Sequence, residues 1–110
     1  KDYGRVGDRQ IVPAAWIETC FAPPADVRDA FARSVNEPYL PGAWYRNQFW
    51  MIPGDPSPVM LCLGIHGQMI YVDPARDFVG VKLSSWPLPQ DSDKLHATIR
   101  AFREIARSLA

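Results

Sequence analysis

The chain has 110 residues, 47% of them hydrophobic and 22% charged, and its twelve Lys and Arg residues balance its twelve Asp and Glu residues. This length suffices for one domain, and the balanced charge without a basic cluster argues against a nucleic-acid partner. No apolar run approaches the roughly 20 residues that a membrane-spanning helix needs, so no membrane span is predicted.

Two helices are predicted in the first third of the chain. The first covers Ala14 to Phe21, with Pro13 suited to its first turn. The second covers Asp26 to Ser34 and has an apolar face formed by Val27, Ala30 and Phe31. Residues 36 to 44 are then predicted to form a loop.

Strands are predicted for the middle of the chain. The aromatic and aliphatic side chains from Tyr45 to Ile52 give this segment a β-rich composition. Val59 to Ile65 is almost continuously apolar, as expected of a strand that is buried on both faces. Two further strands, Met69 to Val72 and Phe78 to Leu83, are joined by a tight turn over Asp73 to Asp77.

A last amphipathic helix is predicted after the Pro-rich residues 86 to 89. Asp91, Ser92 and Asp93 offer N-cap oxygens, and apolar residues then recur at helical spacing: Leu95, Ile99, Phe102, Ala106 and Leu109. Helices followed by consecutive strands and a final helix predict an α+β fold, an antiparallel sheet with packed helices.

Cys20 and Cys62 each lie in hydrophobic surroundings, which favours two free buried thiols over a disulfide. The chain begins with Lys1 rather than Met, so we expect N-terminal sequence to be missing. An export signal would belong to that missing part, and the compartment therefore stays open between cytoplasm and periplasm.

Two glycines mark the segment where chemistry could occur, Gly64-Ile65-His66-Gly67-Gln68. Glycine at the end of a buried strand indicates a bulge or the close approach of a ligand or another backbone. A backbone N–H at such a strand end can stabilise a developing oxyanion. From the residues alone, a bulge that only turns the chain into the next strand is the preferred interpretation.

This segment, with the hairpin that follows it to Ser85, resembles the C-terminal hairpin of the penicillin-recognising serine hydrolases, the β-lactamase-like superfamily. It looks most like the 6-aminohexanoate-dimer hydrolase and esterase branch, and the likeness includes Gly7 to Glu18 and Tyr45 to Trp50. The resemblance implies that residues 1–110 are a single C-terminal segment of a β-lactamase/transpeptidase-like α/β domain. The catalytic N-terminal part would precede Lys1.

In that superfamily the corresponding strand carries a Lys/His-Thr/Ser-Gly box, and the next residue gives a backbone N–H to the oxyanion hole. Here the box reads Cys62-Leu63-Gly64, so the resemblance implies Ile65 as the catalytic backbone donor. The substrate-binding residues that it implies are Gly64, His66, Gly67 and Gln68. The absence of Lys and Thr argues against penicillin binding and suits a hydrolase of amides or esters.

The nucleophile is not found in this chain. No serine has a Lys three positions later, and no Gly-x-Ser-x-Gly elbow occurs. Tyr45-Arg46-Asn47 matches the superfamily's Tyr-x-Asn motif as a string, but we interpret it as a chance match in a strand. The Ser, Lys and Tyr are expected upstream of Lys1. His66 is interpreted as a cleft wall in preference to a proton-transfer group.

The predicted partners are the N-terminal part of the same protein and a small amide or ester substrate. No metal and no organic cofactor is implied, because no His/Cys cluster has zinc spacing and Asp91 to Asp93 suit helix capping. The aromatic residues from Trp44 to Trp50 are expected to pack against the missing part, with an acyl-binding wall as the alternative. The segment alone is predicted to be inactive.

Two other functions stay open. The parent protein could keep the fold and use its cleft for binding or regulation, since the box lacks Lys and Thr. The chain could also be an independent interaction domain, which predicts cooperative unfolding of the isolated 110 residues.

Overall fold

Seven strands and three helices make up the computed structural model, which describes residues 2–110. In chain order they are β1 (Arg5–Val6), β2 (Arg9–Gln10), α1 (Ala14–Phe21), α2 (Ala25–Ala32), β3 (Trp44–Arg46), β4 (Phe49–Ile52), β5 (Val59–Gly64), β6 (Gln68–Asp73), β7 (Phe78–Lys82) and α3 (Ser92–Leu109). β1 and β2 form a small hairpin, and β3 to β7 form an antiparallel sheet in sequence order. The α+β prediction is confirmed. Lys1, on which the expectation of a missing N-terminus rests, lies outside the described residues.

The helix predictions hold to within two residues. α1 has the predicted bounds, and α2 starts one residue early because Pro24 is extended, with φ −60° and ψ 159°, and acts as its N-cap. α3 begins directly after Asp91, whose carboxylate accepts a hydrogen bond from the Lys94 N–H at 3.0 Å. This is the capping role expected for that acidic segment.

The β-rich segment Tyr45 to Ile52 is extended as predicted, and a turn that was not predicted divides it into β3 and β4. Asn47 and Gln48 both have left-handed backbones, with φ of 51° and 68°. Two-residue turns with positive φ at both positions match the natural twist of a hairpin. The Asn47 Nδ2 also donates to Thr19 Oγ1 at 2.9 Å, which ties this turn to α1.

The tight connection predicted between β6 and β7 is present. Pro74–Arg76 form a single 3₁₀ turn, and Asp77 leaves it in the left-handed conformation. The Asp73 carboxylate, only 1% exposed, accepts hydrogen bonds from the Arg76 N–H at 3.3 Å and from Arg76 Nη1 at 3.1 Å. The side chain of Asp73 therefore stabilises the turn that Asp73 begins, a role that Asp commonly has.

α3 packs on one face of the sheet through aromatic contacts. The rings of Tyr71 and Phe102 stack with centroids 5.4 Å apart and an interplanar angle of 25°. Phe102 also lies over Gly80, where an added Cβ would come within 2.4 Å of its ring. Gly80 thus provides the space that lets the helix approach the sheet.

Three of the four aromatic residues of β3 and β4 pack against other elements of this chain, whereas Tyr45 is 47% exposed. Trp44 is 1% exposed and donates its Nε1–H to the Cys20 carbonyl oxygen at 2.7 Å. Phe49 contacts Trp16 of α1 edge-on. Trp50 contacts Phe31 of α2 in the same way. These side chains belong to the core that α1 and α2 form with the sheet.

The sheet face opposite α3 is covered only in part. Ile70, Val79 and Val81 alternate with residues that face α3, and their exposed fractions are 40%, 45% and 64%. Ile70 pairs with Val81 across the β6–β7 ladder, so these side chains form one apolar patch. Cys62 of β5 pairs with Ile70, so it lies next to this partly exposed patch and is half-buried. Only the first half of β5 is buried on both faces.

The two cysteines are free, as predicted, with Cys20 buried and Cys62 half-buried. Among residues 2–110, no helix combines the length and the apolar character needed to cross a membrane.

Gly80→Ala should destabilise the fold, because the new Cβ overlaps Phe102 and either the ring or the helix must shift. The expected loss is about 1–3 kcal/mol in the free energy of unfolding, measured by urea denaturation. Val81→Thr is the matched control on the exposed face and should stay within about 0.5 kcal/mol. Equal effects of the two changes would contradict the packing described here.

Candidate functional site

The predicted site lies at the turn between β5 and β6. β5 ends at Gly64, and Ile65–Gly67 form a 3₁₀ turn that includes an irregular residue. His66 has φ 59° and Gly67 has φ 89°, both in the left-handed region. A left-handed His is uncommon, so tertiary contacts must hold the turn in this form.

Gln68 supplies one of those contacts. Its Nε2 donates to the Ser84 carbonyl oxygen at 2.6 Å, and its Oε1 accepts from the Ser84 N–H at 2.9 Å. The amide therefore pairs with the backbone of Ser84 as a neighbouring strand would. This contact joins the start of β6 to the chain that follows β7.

His66 supplies the second contact. Its N–H donates to the Pro89 carbonyl oxygen at 3.0 Å, and its own carbonyl accepts from the Trp86 N–H at 3.1 Å. The ring Nδ1 lies 2.8 Å from the Trp86 carbonyl oxygen. Because a carbonyl only accepts, Nδ1 must carry the proton, and in the neutral ring Nε2 is an acceptor. We call residues 84–89, which these bonds fasten to the turn, the clasp segment.

Trp86 of the clasp segment packs directly on Gly67. A Cβ added to Gly67 would lie 2.4 Å from the indole, so only glycine permits this contact. The Lys82 Nζ lies 4.7 Å from the centre of the indole ring and donates to the Gly67 carbonyl oxygen at 3.2 Å. The close approach predicted at Gly67 is thus made by a side chain of the same protein.

A cavity of about 280 Å³ opens beside this turn. Its walls are mainly apolar and come from Leu40, Trp50, Leu63, Trp86 and Leu95, with polar groups from Asn36, Gln68 and Asp91. Ile65 lines the cavity and is 65% exposed. Lys94 beside Asp91 lowers the pKa of that carboxyl group and pairs with it at 2.7 Å, so an ion pair lies near the cavity at neutral pH.

The edge of β5 is open where the cavity begins. β4 pairs with β5 only from Val59 to Leu61, whereas β6 pairs with it up to Gly64. Cys62, Leu63 and Gly64 therefore have a strand partner on one side only among the described residues. Unpaired backbone groups at a strand edge can bind an extended ligand.

The structure brings the five predicted site residues together, since Gly64 to Gln68 form one turn. Gly64, Ile65, Gly67 and Gln68 line the cavity. His66 instead faces the clasp segment. The sequence reasoning missed Lys82 and Trp86. The only signal in the sequence was for Trp86, an aromatic residue followed by two prolines. Tyr45 lies in β3 and packs on Trp50, which lines the cavity, with ring centroids 5.0 Å apart.

Burial raises the pKa of the Cys62 thiol above its ordinary value of 9.0. The thiol of Cys62 is therefore neutral near pH 7. Among residues 2–110 no group of three or more His, Cys, Asp or Glu residues is placed to hold a metal ion.

Comparison with known proteins finds similarity to a hydrolase. The chain is 34% identical over 88 residues to the 6-aminohexanoate-dimer hydrolase of Paenarthrobacter ureafaciens. The aligned part covers 80% of this chain and 22% of that protein, so the chain spans about a fifth of its relative. No family model matches the chain.

The chain is a distant relative of a hydrolase. The match supports that relationship without singling out a branch.

Gln68→Ala should release the clasp segment, because both hydrogen bonds to Ser84 disappear. We expect the Ser84 amide to exchange its hydrogen about tenfold faster, as measured by NMR. Gln90→Ala is the control, since Gln90 is exposed and makes no side-chain hydrogen bond among the described residues. Unchanged protection of Ser84 in the first variant would show that the clasp is held by other contacts.

Cys62 should be alkylated mainly at alkaline pH. In a Cys20→Ser variant, the rate of reaction with iodoacetamide should rise with a midpoint above pH 9, because burial disfavours the thiolate. The same variant in urea provides the reference thiol. A midpoint below that of the unfolded chain would mean that a nearby positive charge outweighs burial.

Proposed function

We propose that this chain is the C-terminal part of a β-lactamase-like serine hydrolase that cleaves an amide or ester by acyl transfer. Its role is to supply the strand on the oxyanion side of the active site. The observation that carries the proposal is the position of Ile65. Ile65 directly follows Gly64, the last residue of β5. Its backbone N–H therefore lies beside an open strand edge and an apolar cavity.

The turn meets the main requirement for oxyanion stabilisation, which is a donor held in place before the reaction. Hydrogen bonds from Gln68 and His66 to the clasp segment fix the backbone on both sides of the turn. A preorganised N–H of this kind need not reorient as negative charge develops on the carbonyl oxygen. His66 and Gln68 thus contribute to the site by holding the turn, and Gln68 also faces the cavity.

The catalytic steps require groups from an upstream segment. A serine there would attack the carbonyl, a Lys/Tyr pair would move the protons, and the oxyanion would be bound by Ile65 N–H and a second backbone N–H. The acyl-enzyme would then be hydrolysed by water. The 110 residues alone are expected to be inactive, since a donor without a nucleophile forms no acyl-enzyme.

The partner that we propose is the N-terminal part of the same protein. Support comes from the apolar patch of Ile70, Val79 and Val81, which the helices of this chain leave exposed. Exposed apolar side chains grouped on a sheet face are typical of a surface that another segment covers.

The proposed substrate is a small amide or ester with an apolar portion. The named relative hydrolyses a dimer of 6-aminohexanoate, and the cavity beside Ile65 has apolar walls suited to methylene groups. Gly64 and Gly67 would keep the approach to the donor free of side chains. Penicillin-like substrates are disfavoured because Cys62 and Leu63 carry no group to bind a carboxylate.

Ile65→Pro in the longer protein should remove the proposed donor while keeping the turn. Gly64 is already extended, with φ −114° and ψ 156°, which suits a residue before proline, and proline is favoured at the first position of a helical turn. We expect kcat for a 6-aminohexanoate dimer to fall about 10²–10³-fold.

Ile65→Ala is the matched control, because it shortens the same side chain and keeps the N–H. Its kcat should stay within about tenfold of the unsubstituted enzyme. Comparable losses in the two variants would assign the effect to the side chain and refute a backbone donor.

A second candidate function is a non-catalytic protein that uses the same cleft for binding. The neutral Cys62-Leu63 pair in place of the superfamily's Lys and Thr favours it. Treatment of the longer protein with a serine-reactive phosphonate, followed by intact-mass spectrometry, separates the two. An adduct on the upstream segment supports the hydrolase, no adduct supports the binding protein, and an adduct within these 110 residues would place the nucleophile here.

A further inference from the structure

A second cavity, of about 250 Å³, lies at the opposite end of β5 from the candidate site. Its lining includes Val59 at the start of β5, whereas the candidate site includes Gly64 at its end, about 17 Å away at the usual rise per residue. Arg76, Arg103 and Arg107 converge on it. We refer to it as the arginine cavity.

Nearby carboxylates neutralise part of the positive charge that these three arginines bring to the cavity. Asp73, 1% exposed, is paired with Arg76 at 3.1 Å, and Glu104 is paired with Arg107 at 2.7 Å. Arg103 forms no ion pair among the described residues; its Nη2 donates to the Pro53 carbonyl oxygen at 3.3 Å, and its guanidinium also lies beside the Tyr71 hydroxyl. Asp55 also lines the cavity, but it lies exposed to solvent. A guanidinium with most of its donors unused therefore remains.

Tyr71 is a second polar group whose hydrogen-bonding capacity is not filled. It is 0% exposed and lines the cavity, and its buried hydroxyl lies within reach of the Arg103 guanidinium but forms no well-aligned hydrogen bond among the described residues. Burial raises the pKa of Tyr71, while the nearby Arg103 lowers it. The hydroxyl is thus protonated at neutral pH and is available as a donor. Buried polar groups in native proteins are normally satisfied, so an unsatisfied one needs an explanation.

We propose that the arginine cavity binds a small oxyanion, the carboxylate or phosphate group of a small molecule. Arg103 presents a planar fork of N–H donors, which matches the paired oxygens of either group. Tyr71 supplies a further donor from the cavity wall, and Arg107, which is paired with Glu104 at 2.7 Å, places its guanidinium at the rim, where its side chain is 51% exposed. This inference is independent of the proposed function, because the two cavities share no lining residue.

The alternative is that Arg103 serves only to hold the loop at Pro53. Ligand binding to the 110-residue chain distinguishes an anion site from this purely structural role. The probes are sodium phosphate and sodium acetate, and the reference is sodium chloride at matched ionic strength. A ligand that binds the folded chain raises its Tm in a saturable manner. Saturation by phosphate identifies a tetrahedral head group, and saturation by acetate identifies a carboxylate.

Arg103→Gln should weaken binding about tenfold or more, and Tyr71→Phe should weaken it several-fold while leaving the ligand-free Tm unchanged or higher. Arg100→Gln is the matched control on the same helix, because it removes the same charge from an exposed position outside the cavity. Arg103→Lys keeps the charge but loses the fork, and it should bind with intermediate affinity even if the Gln variant is unstable. The proposal is overturned if neither probe saturates, or if Arg103→Gln and Arg100→Gln bind equally.

Discussion

The contact of Phe102 with Tyr71 and Gly80 determines where α3 lies, and both cavities depend on that position. The N-terminal end of α3 contributes Leu95 to the cavity beside Ile65, and its C-terminal half contributes Arg103 and Arg107 to the arginine cavity. A side chain at position 80 would push the helix away from the sheet at a point between the two cavities. One glycine therefore controls the shape of both.

The second constraint is the attachment of the clasp segment. Secondary structure alone would leave the turn after β5 free to change, because His66 is in an unfavourable backbone region for a side-chain-bearing residue. Hydrogen bonds to the backbone of Ser84, Trp86 and Pro89 hold it. Backbone partners impose no sequence requirement on residues 84 and 86, apart from the packing of Trp86 on Gly67.

Much of the fold could be predicted from local signals. Pro24, Asp91 and Asp73 act at the helix and turn boundaries where such residues usually act, and the strand positions followed from apolar runs. The turn at Asn47 and Gln48 was missed because the aromatic residues on both sides form one continuous β-rich segment, and Asn-Gln is a weaker turn signal than Asn-Gly.

The site was predicted less completely. Its residues were located through glycine spacing and family resemblance, but their contacts were not. Gln68 binds Ser84 and His66 binds Trp86, which are 16 and 20 residues away, and no periodic pattern links such positions. The arginine cavity was not foreseen for the same reason, since a turn and two positions on α3 meet there only after the helix has packed.

The sheet topology has a consequence for the order of assembly. Each strand from β3 to β7 pairs with the strand next to it in the chain, so the meander requires only short loop closures. α3, by contrast, must return from the end of the chain to reach Tyr71. During synthesis the whole meander leaves the ribosome before α3 does, and the sheet can be complete before α3 adds its walls to either cavity. A ligand bound in either cavity would then stabilise the product of the last folding step, the docking of α3.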